Sequence, residues 1–169
     1  GAAIAYQINS RIALGVAGKY LHQKILFESS EGWSVDAGAM ARWEDKGLAA
    51  GVAVNHAGNM NHFLSQKPTL PTTLRGGIAY ERSTGKLGSA LVTADALAIR
   101  DSSPQFRGGL EFRAPSYIAL RVGAVQGIDA QTFSLGFGLF IKQIQFDYAF
   151  IPHRDNLEDG HRFSLGFEL

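Results

Sequence analysis

The C-terminal stretch carries the clearest pattern in the chain. Gln143-Ile144-Gln145-Phe146-Asp147-Tyr148-Ala149-Phe150 alternates polar and apolar residues, breaks at a loop from Pro152 to Gly160, and resumes from His161 to Leu169. Alternation with period two over two arms joined by a turn-rich break predicts a β-hairpin. In the last arm Phe163, Leu165, Phe167 and Leu169 share one face, and Arg162, Ser164, Gly166 and Glu168 share the other.

The same period runs through the rest of the chain. Ile4, Tyr6 and Ile8 lie on one face of a first strand, and Leu14, Val16 and Tyr20 on one face of a second. A polar gap from Glu28 to Gly32 leads to a third, with Trp33, Val35, Ala37, Ala39, Ala41 and Trp43 on one side. A turn at Asp45-Lys46 precedes Leu48 to Val54, and His56 to Pro71 reads as the longest irregular stretch. Strands follow at Thr72 to Arg82, Leu87 to Ile99, Phe106 to Arg113, Ile118 to Ala124 and Phe133 to Leu139, before the closing hairpin. The register of Leu87 to Ile99 is not fixed by the pattern, because Ala, Leu and Val fall on both faces. The total is about eleven strands and no helix.

Connection length alternates along this series. Asn9-Ser10, Asp45-Lys46, Ser83 to Lys86, Ala114-Pro115 and the turn at Lys142 are short, whereas the gaps near residues 28, 60, 102, 128 and 156 are mostly longer. Short turns on one side and long loops on the other are how membrane barrels are built, and strands of roughly ten residues match a tilted crossing of the bilayer core. A Trp at each end of one apolar face fits interfacial aromatic girdles. The expected fold is therefore all-β: a single domain over residues 1–169, an antiparallel up-and-down transmembrane β-barrel. Lipid is expected to contact Ile4, Tyr6, Leu14, Val16, Trp33, Trp43, Val52, Leu74, Tyr80, Leu120, Phe137, Phe146, Phe163 and Phe167. Phe137→Arg near the bilayer midplane should then cost about 2–4 kcal/mol, while Gly136→Arg on the other face need not. The competing expectation is a soluble β-barrel that holds an apolar ligand.

Composition narrows this only in places. With 46% apolar residues, 20 Gly, 11 Phe, 5 Tyr and 2 Trp, the chain has the β-favouring content the pattern requires. The longest apolar run, Leu48 to Val54, is far too short for a membrane helix, so a crossing would have to be made by strands. A formal net charge of +1 leaves no basic stripe for nucleic acid. The absence of cysteine excludes disulfides, thiol catalysis and Cys-type zinc sites.

Several segments are similar to the C-terminal half of the PorV/PorQ family. They are Lys19-Tyr20-Leu21-His22-Gln23-Lys24-Ile25, Leu74-Arg75-Gly76-Gly77-Ile78-Ala79-Tyr80, Gly109-Leu110-Glu111-Phe112, and Asp147-Tyr148-Ala149-Phe150-Ile151-Pro152 followed by His161-Arg162-Phe163-Ser164-Leu165. The resemblance implies a FadL-like barrel of about fourteen strands in a bacterial outer membrane. It also implies a non-enzymatic role, as an accessory of type IX protein secretion or of cell-surface attachment, or else the transport of hydrophobic small molecules. The partners implied are outer-membrane lipid, secretion-system or cell-surface proteins met through the outward loops 55–71 and 152–160, and hydrophobic solutes. The family's N-terminal plug and Asn-Pro-Ala-Gly-like motif have no counterpart here. Together with an odd strand count and a first residue already in strand, this leads to the expectation that strands and a plug precede Gly1.

Candidate chemistry is sparse. His56 and His62 fall in one stretch, but no helical i, i+4 pair or accompanying carboxylate makes them a metal site. Ser, His and Asp occur without a nucleophile elbow. No catalytic, cofactor or metal residue is therefore expected. The candidate site is instead a polar network facing the lumen, made of Lys19, Asp36, Arg42, Arg75, Glu81, Arg107, Glu111, Arg121, Asp147, Arg162 and Glu168. Mixed charges there would pair across neighbouring strands or face water. Asp147 and Arg162, on adjacent antiparallel strands, are expected to form an ion pair that fixes the register of the closing hairpin.

Overall fold

The computed structural model describes residues 1–25, 28–61, 69–115, 117–127, 133–153 and 158–167. Within them the chain forms eleven strands and two 3-10 turns. The strands are β1 (Ala2–Gln7), β2 (Ile12–Ile25), β3 (Glu28–Trp43), β4 (Leu48–Met60), β5 (Thr73–Ser83), β6 (Ser89–Ile99), β7 (Gln105–Arg113), β8 (Ile118–Gln126), β9 (Phe133–Ile141), β10 (Ile144–Ile151) and β11 (Gly160–Phe167). Their hydrogen-bonded order follows the sequence from β1 to β11, so the fold is an all-β, antiparallel, up-and-down sheet with β1 and β11 at the two ends of that order. Contacts gather in two compact units, Gly1–Glu44 with Ala49–Gly77 and Leu97–Pro104, and Asp45–Leu48 with Ile78–Ala96 and Gln105–Leu169.

Alternation becomes two chemically distinct faces because directly opposed residues of an antiparallel pair point the same way. In the first unit the rows Ile4, Val16, Ala37 and Tyr6, Leu14, Ala39 run across β1, β2 and β3 on the apolar side. In the second, Leu120 faces Phe137 and Phe137 faces Tyr148, which in turn faces Phe163. The polar side carries Lys19 opposite Ser34, Glu111 opposite Arg121, and Asp147 opposite Ser164.

The turns use local chemistry. At β1–β2 the Asn9 side-chain oxygen accepts the backbone N–H groups of Arg11 and Ile12 at 2.8 and 2.9 Å, the short-range mimicry that makes Asn a turn residue. After the 3-10 turn Glu44–Lys46, Gly47 takes φ +64°, and its carbonyl accepts the Glu81 N–H at 2.7 Å. A Cβ at this position would run into the Glu81 carbonyl. Gly47→Ala is therefore expected to destabilise the fold by at least about 1–2 kcal/mol, the cost of the left-handed conformation alone. Denaturant unfolding of the two proteins side by side measures it.

Three expectations from the sequence change. The polar stretch Glu28 to Gly32 is strand, since β2 and β3 pair as far as Ile25 opposite Glu28. Two long strands, β2 and β3, therefore stand where a longer loop is expected. A second change concerns His56, which lies inside β4 rather than at the start of the irregular stretch, because that strand continues to Met60. Residues 62–68, including His62, lie outside the described residues. Finally, Leu87 belongs to the 3-10 turn Gly85–Leu87, and β6 starts at Ser89 after Gly88 turns at φ +120°. Among the other connections, residues 8–11, 44–47, 84–88, 114–117 and 142–143 alternate along the chain with 61–72, 100–104, 127–132 and 152–159, the second set being longer except at 100–104, which matches 84–88 in length.

Few apolar side chains are enclosed. Among the described residues only Met60, Ala119 and Ile151 are buried apolar ones, while Ile4 is 73% and Phe163 69% exposed. Each large apolar side chain left in water forgoes roughly 1.5–3 kcal/mol of burial.

Candidate functional site

The charged residues of the polar face assemble separately in each unit. In the first, β2 and β3 set Lys19 diagonally across from Asp36, and the two form an ion pair. The second Asp36 oxygen accepts the backbone N–H of His56 at 2.8 Å. Ser34, directly opposite Lys19, is 1% exposed and its hydroxyl has no protein partner among the described residues.

In the second unit Arg121, on β8, is the hub. Its Nε donates to Glu111 on β7 at 2.6 Å and its Nη1 to Asp147 on β10 at 2.5 Å. β9 lies between β8 and β10, so the guanidinium must pass over it. It can do so because the two β9 residues beneath it are Gly136 and Gly138. A Cβ on Gly138 would come within 2.9 Å of the Asp147 carboxylate and 3.3 Å of the Arg121 guanidinium, and one on Gly136 within 3.2 Å of Arg121 Cβ. The outer lone pairs are filled by Arg113, 3.0 Å from Glu111, and by the Gln145 amide, 2.5 Å from Asp147. Arg113 also lies 5.4 Å from the centre of the Phe140 ring. Two guanidinium groups thus meet two carboxylates, which leaves no uncompensated charge for a ligand and ties four consecutive strands together.

Of the remaining expected members, Arg42, Arg107 and Arg162 do not join these clusters. Arg107 donates to Gln105 at 2.9 Å. Arg42 shares the face of Asp36 at the far end of β3, where it is exposed. Arg75 is engaged rather than free, and Glu81 contributes its backbone N–H to the Gly47 turn. Glu168 lies outside the described residues. The expected Asp147–Arg162 pair does not form: Arg162 stands opposite Ala149 and Asp147 opposite Ser164, and Arg121 takes the carboxylate from the other side. A side chain at Gly136 would crowd Arg121, 3.2 Å from its Cβ, so Gly136→Arg carries a cost of its own on the polar face.

On the apolar face of β10 and β11, the Phe146, Tyr148, Phe150, His161 and Phe163 rings form a ladder with centroid separations of 5.0–6.3 Å. The Tyr148 hydroxyl lies 2.9 Å from His161 Nδ1. The position of His161 on an apolar face is the sole trace of this pairing in the residue pattern. No group of three or more His, Cys, Asp or Glu that could hold a metal occurs among the described residues. No helix among them is long and apolar enough to cross a membrane, which says nothing of a crossing made by strands. A comparison with known proteins found no matching family model and no matching curated protein.

Proposed function

We propose that this chain is the lipid-embedded sheet of a bacterial outer-membrane β-barrel, non-enzymatic and of PorV/PorQ type, acting as a secretion-accessory or surface-attachment component. The observation that carries the reading is the exposed apolar face and its aromatic limits. Trp33 and Trp43 share that face of β3 and stand ten positions apart, about 33 Å along a strand at 3.3 Å per residue. Tilted by roughly 40°, that length projects to about 25 Å, the height of the lipid-facing band of outer-membrane barrels. Between the two Trp residues this face carries Val35, Ala37, Ala39 and Ala41, and the facing strand Ile12, Leu14, Val16 and Gly18, all without charge. Charge returns beyond Trp33, where His22 meets Glu31 at 3.6 Å.

The accessory role rests on the sequence resemblance and on the alternation of connection lengths along the chain, in which residues 61–72 and 152–159 are the longest. Co-purification from native membranes tests it. A protein partner that is lost when residues 152–159 are replaced by a short Gly-Ser turn supports the accessory role, and a tightly held lipid with no protein partner supports transport of hydrophobic solutes instead.

One observation favours a second reading, a soluble barrel closed around an apolar ligand. Ala37 and Ala39 form the floor of a groove of about 530 Å³ between Ile4, Tyr6, Leu14 and Val16 on one side and Val52 and Val54 on the other. In that arrangement the apolar face turns inward, and the chain should stay monodisperse without detergent.

A further inference from the structure

The outer half of β4 is out of step with the inner half by one residue. Gly38 on β3 packs against Ala53, since a Cβ added at Gly38 would lie 3.5 Å from that of Ala53. Four residues further along β3, Ser34 should then meet Ala57, but it meets Gly58; Gly32 meets Met60, and the Asn61 N–H reaches the Glu31 carbonyl. The extra residue is taken up at His56, which sits at φ +57° inside the strand. This is a β-bulge with its first residue in the left-handed region, a place where glycine is the usual occupant. A histidine there carries the steric cost of Cβ against the neighbouring carbonyl that glycine avoids. Strain of this kind persists only where surrounding contacts hold it.

Two contacts do so. The Asp36 carboxylate, itself paired with Lys19, accepts the His56 N–H at 2.8 Å, and the Thr72 hydroxyl donates to the His56 carbonyl at 3.2 Å. The consequence lies at the end of the strand. With the bulge, Met60 points to the side of Ser30 and Ser34 and is 8% exposed, while Asn59 is exposed. Without it, a one-residue shift would exchange the faces of Asn59 and Met60.

We infer that the His56 bulge is a register latch, in which Asp36 holds the outer end of β4 in one of two pairings with β3. Loss of the Asp36 hold on the His56 N–H releases the strand into the unbulged register and turns Met60 outward beside Glu31 and Trp33. The latch couples the polar face to the edge where β4 runs into its longest connection. It does so whether the sheet stands in lipid or in water.

The chain has no cysteine, so Asn59→Cys and Met60→Cys each introduce a single thiol whose maleimide labelling rate reports one face. In the otherwise unchanged protein the thiol at position 59 is expected to label at least about tenfold faster than the thiol at position 60. Asp36→Ala should reverse that order. Asp36→Asn, whose amide oxygen can still accept the His56 N–H, should preserve it, as should His56→Gly, which removes the strain and keeps the bulge. An unchanged order in Asp36→Ala would overturn the latch, because the bulge would then not depend on the carboxylate. Equal and fast labelling at both positions would overturn it as well, since that is local melting rather than a second register.

Discussion

Replacing Phe137 by Arg is expected to destabilise the protein in a bilayer by about 2–4 kcal/mol, the range for a guanidinium on the lipid side of a barrel near the midplane. Phe137 lies at the centre of β9 on the apolar face, between Leu120 on one side and Tyr148 on the other. The charge therefore has no carboxylate on that face of β8 or β10 to pair with. The matched control is Ser164→Arg. Ser164 is exposed on the opposite face and opposes Asp147, which opposes Gly138, the neighbour of Phe137. The two substitutions thus place the same charge at nearly the same depth on opposite sides of one sheet. Equilibrium unfolding from vesicles compares them, and equal tolerance would remove the assignment of the apolar face to lipid.

The second large effect concerns the network around Arg121. Arg121→Met keeps most of the aliphatic volume and leaves Glu111 and Asp147 without their shared donor. Hydrogen bonds to charged groups contribute about 1.5–3 kcal/mol each, and the carboxylates are partly exposed, so solvent recovers some of that loss. A net cost of about 2 kcal/mol is expected for Arg121→Met. Arg121→Lys should recover less than half of it, because a single ammonium cannot reach both carboxylates in the way a guanidinium fork does. Gly138→Val, which removes no charged group, should cost as much as Arg121→Met because its side chain would occupy the path from Arg121 to Asp147. In a double-mutant cycle, Arg121→Met and Gly138→Val should be strongly non-additive. Full additivity would mean that the glycine acts through backbone conformation alone.

The alternation of the chain is enough to place residues on faces. Ile4, Leu14, Val52, Leu120 and Phe163 stand exposed on the apolar face that the pattern assigns them, because a period of two leaves a strand only one way to separate its side chains. What the pattern misses lies where that signal is absent. Glu28-Ser29-Ser30-Glu31-Gly32 is polar on both faces and so looks like a loop, and only its pairing with β2 makes it strand. His56 looks like a loop residue because a left-handed bulge needs no special side chain when a neighbouring carboxylate holds its N–H. The expectation that Asp147 pairs with Arg162 fails because it reaches no further than the adjacent strand. A guanidinium extends two strands away when the strand between offers no side chain, and Gly136 and Gly138, two positions apart on one face, are the clue to it in the chain.

The claim on which the functional reading stands is that the apolar face meets lipid, and the two tryptophans report on it directly. Trp33→Phe and Trp43→Phe each leave a single indole, whose fluorescence can be followed in vesicles made from lipids brominated at different depths along the acyl chain. Both single-Trp proteins are expected to be quenched most by bromines close to the headgroups and least by those near the chain ends, as befits indoles at the two interfaces. Quenching of neither, in a protein that remains monodisperse without detergent, would contradict the claim and turn the apolar face inward around a ligand.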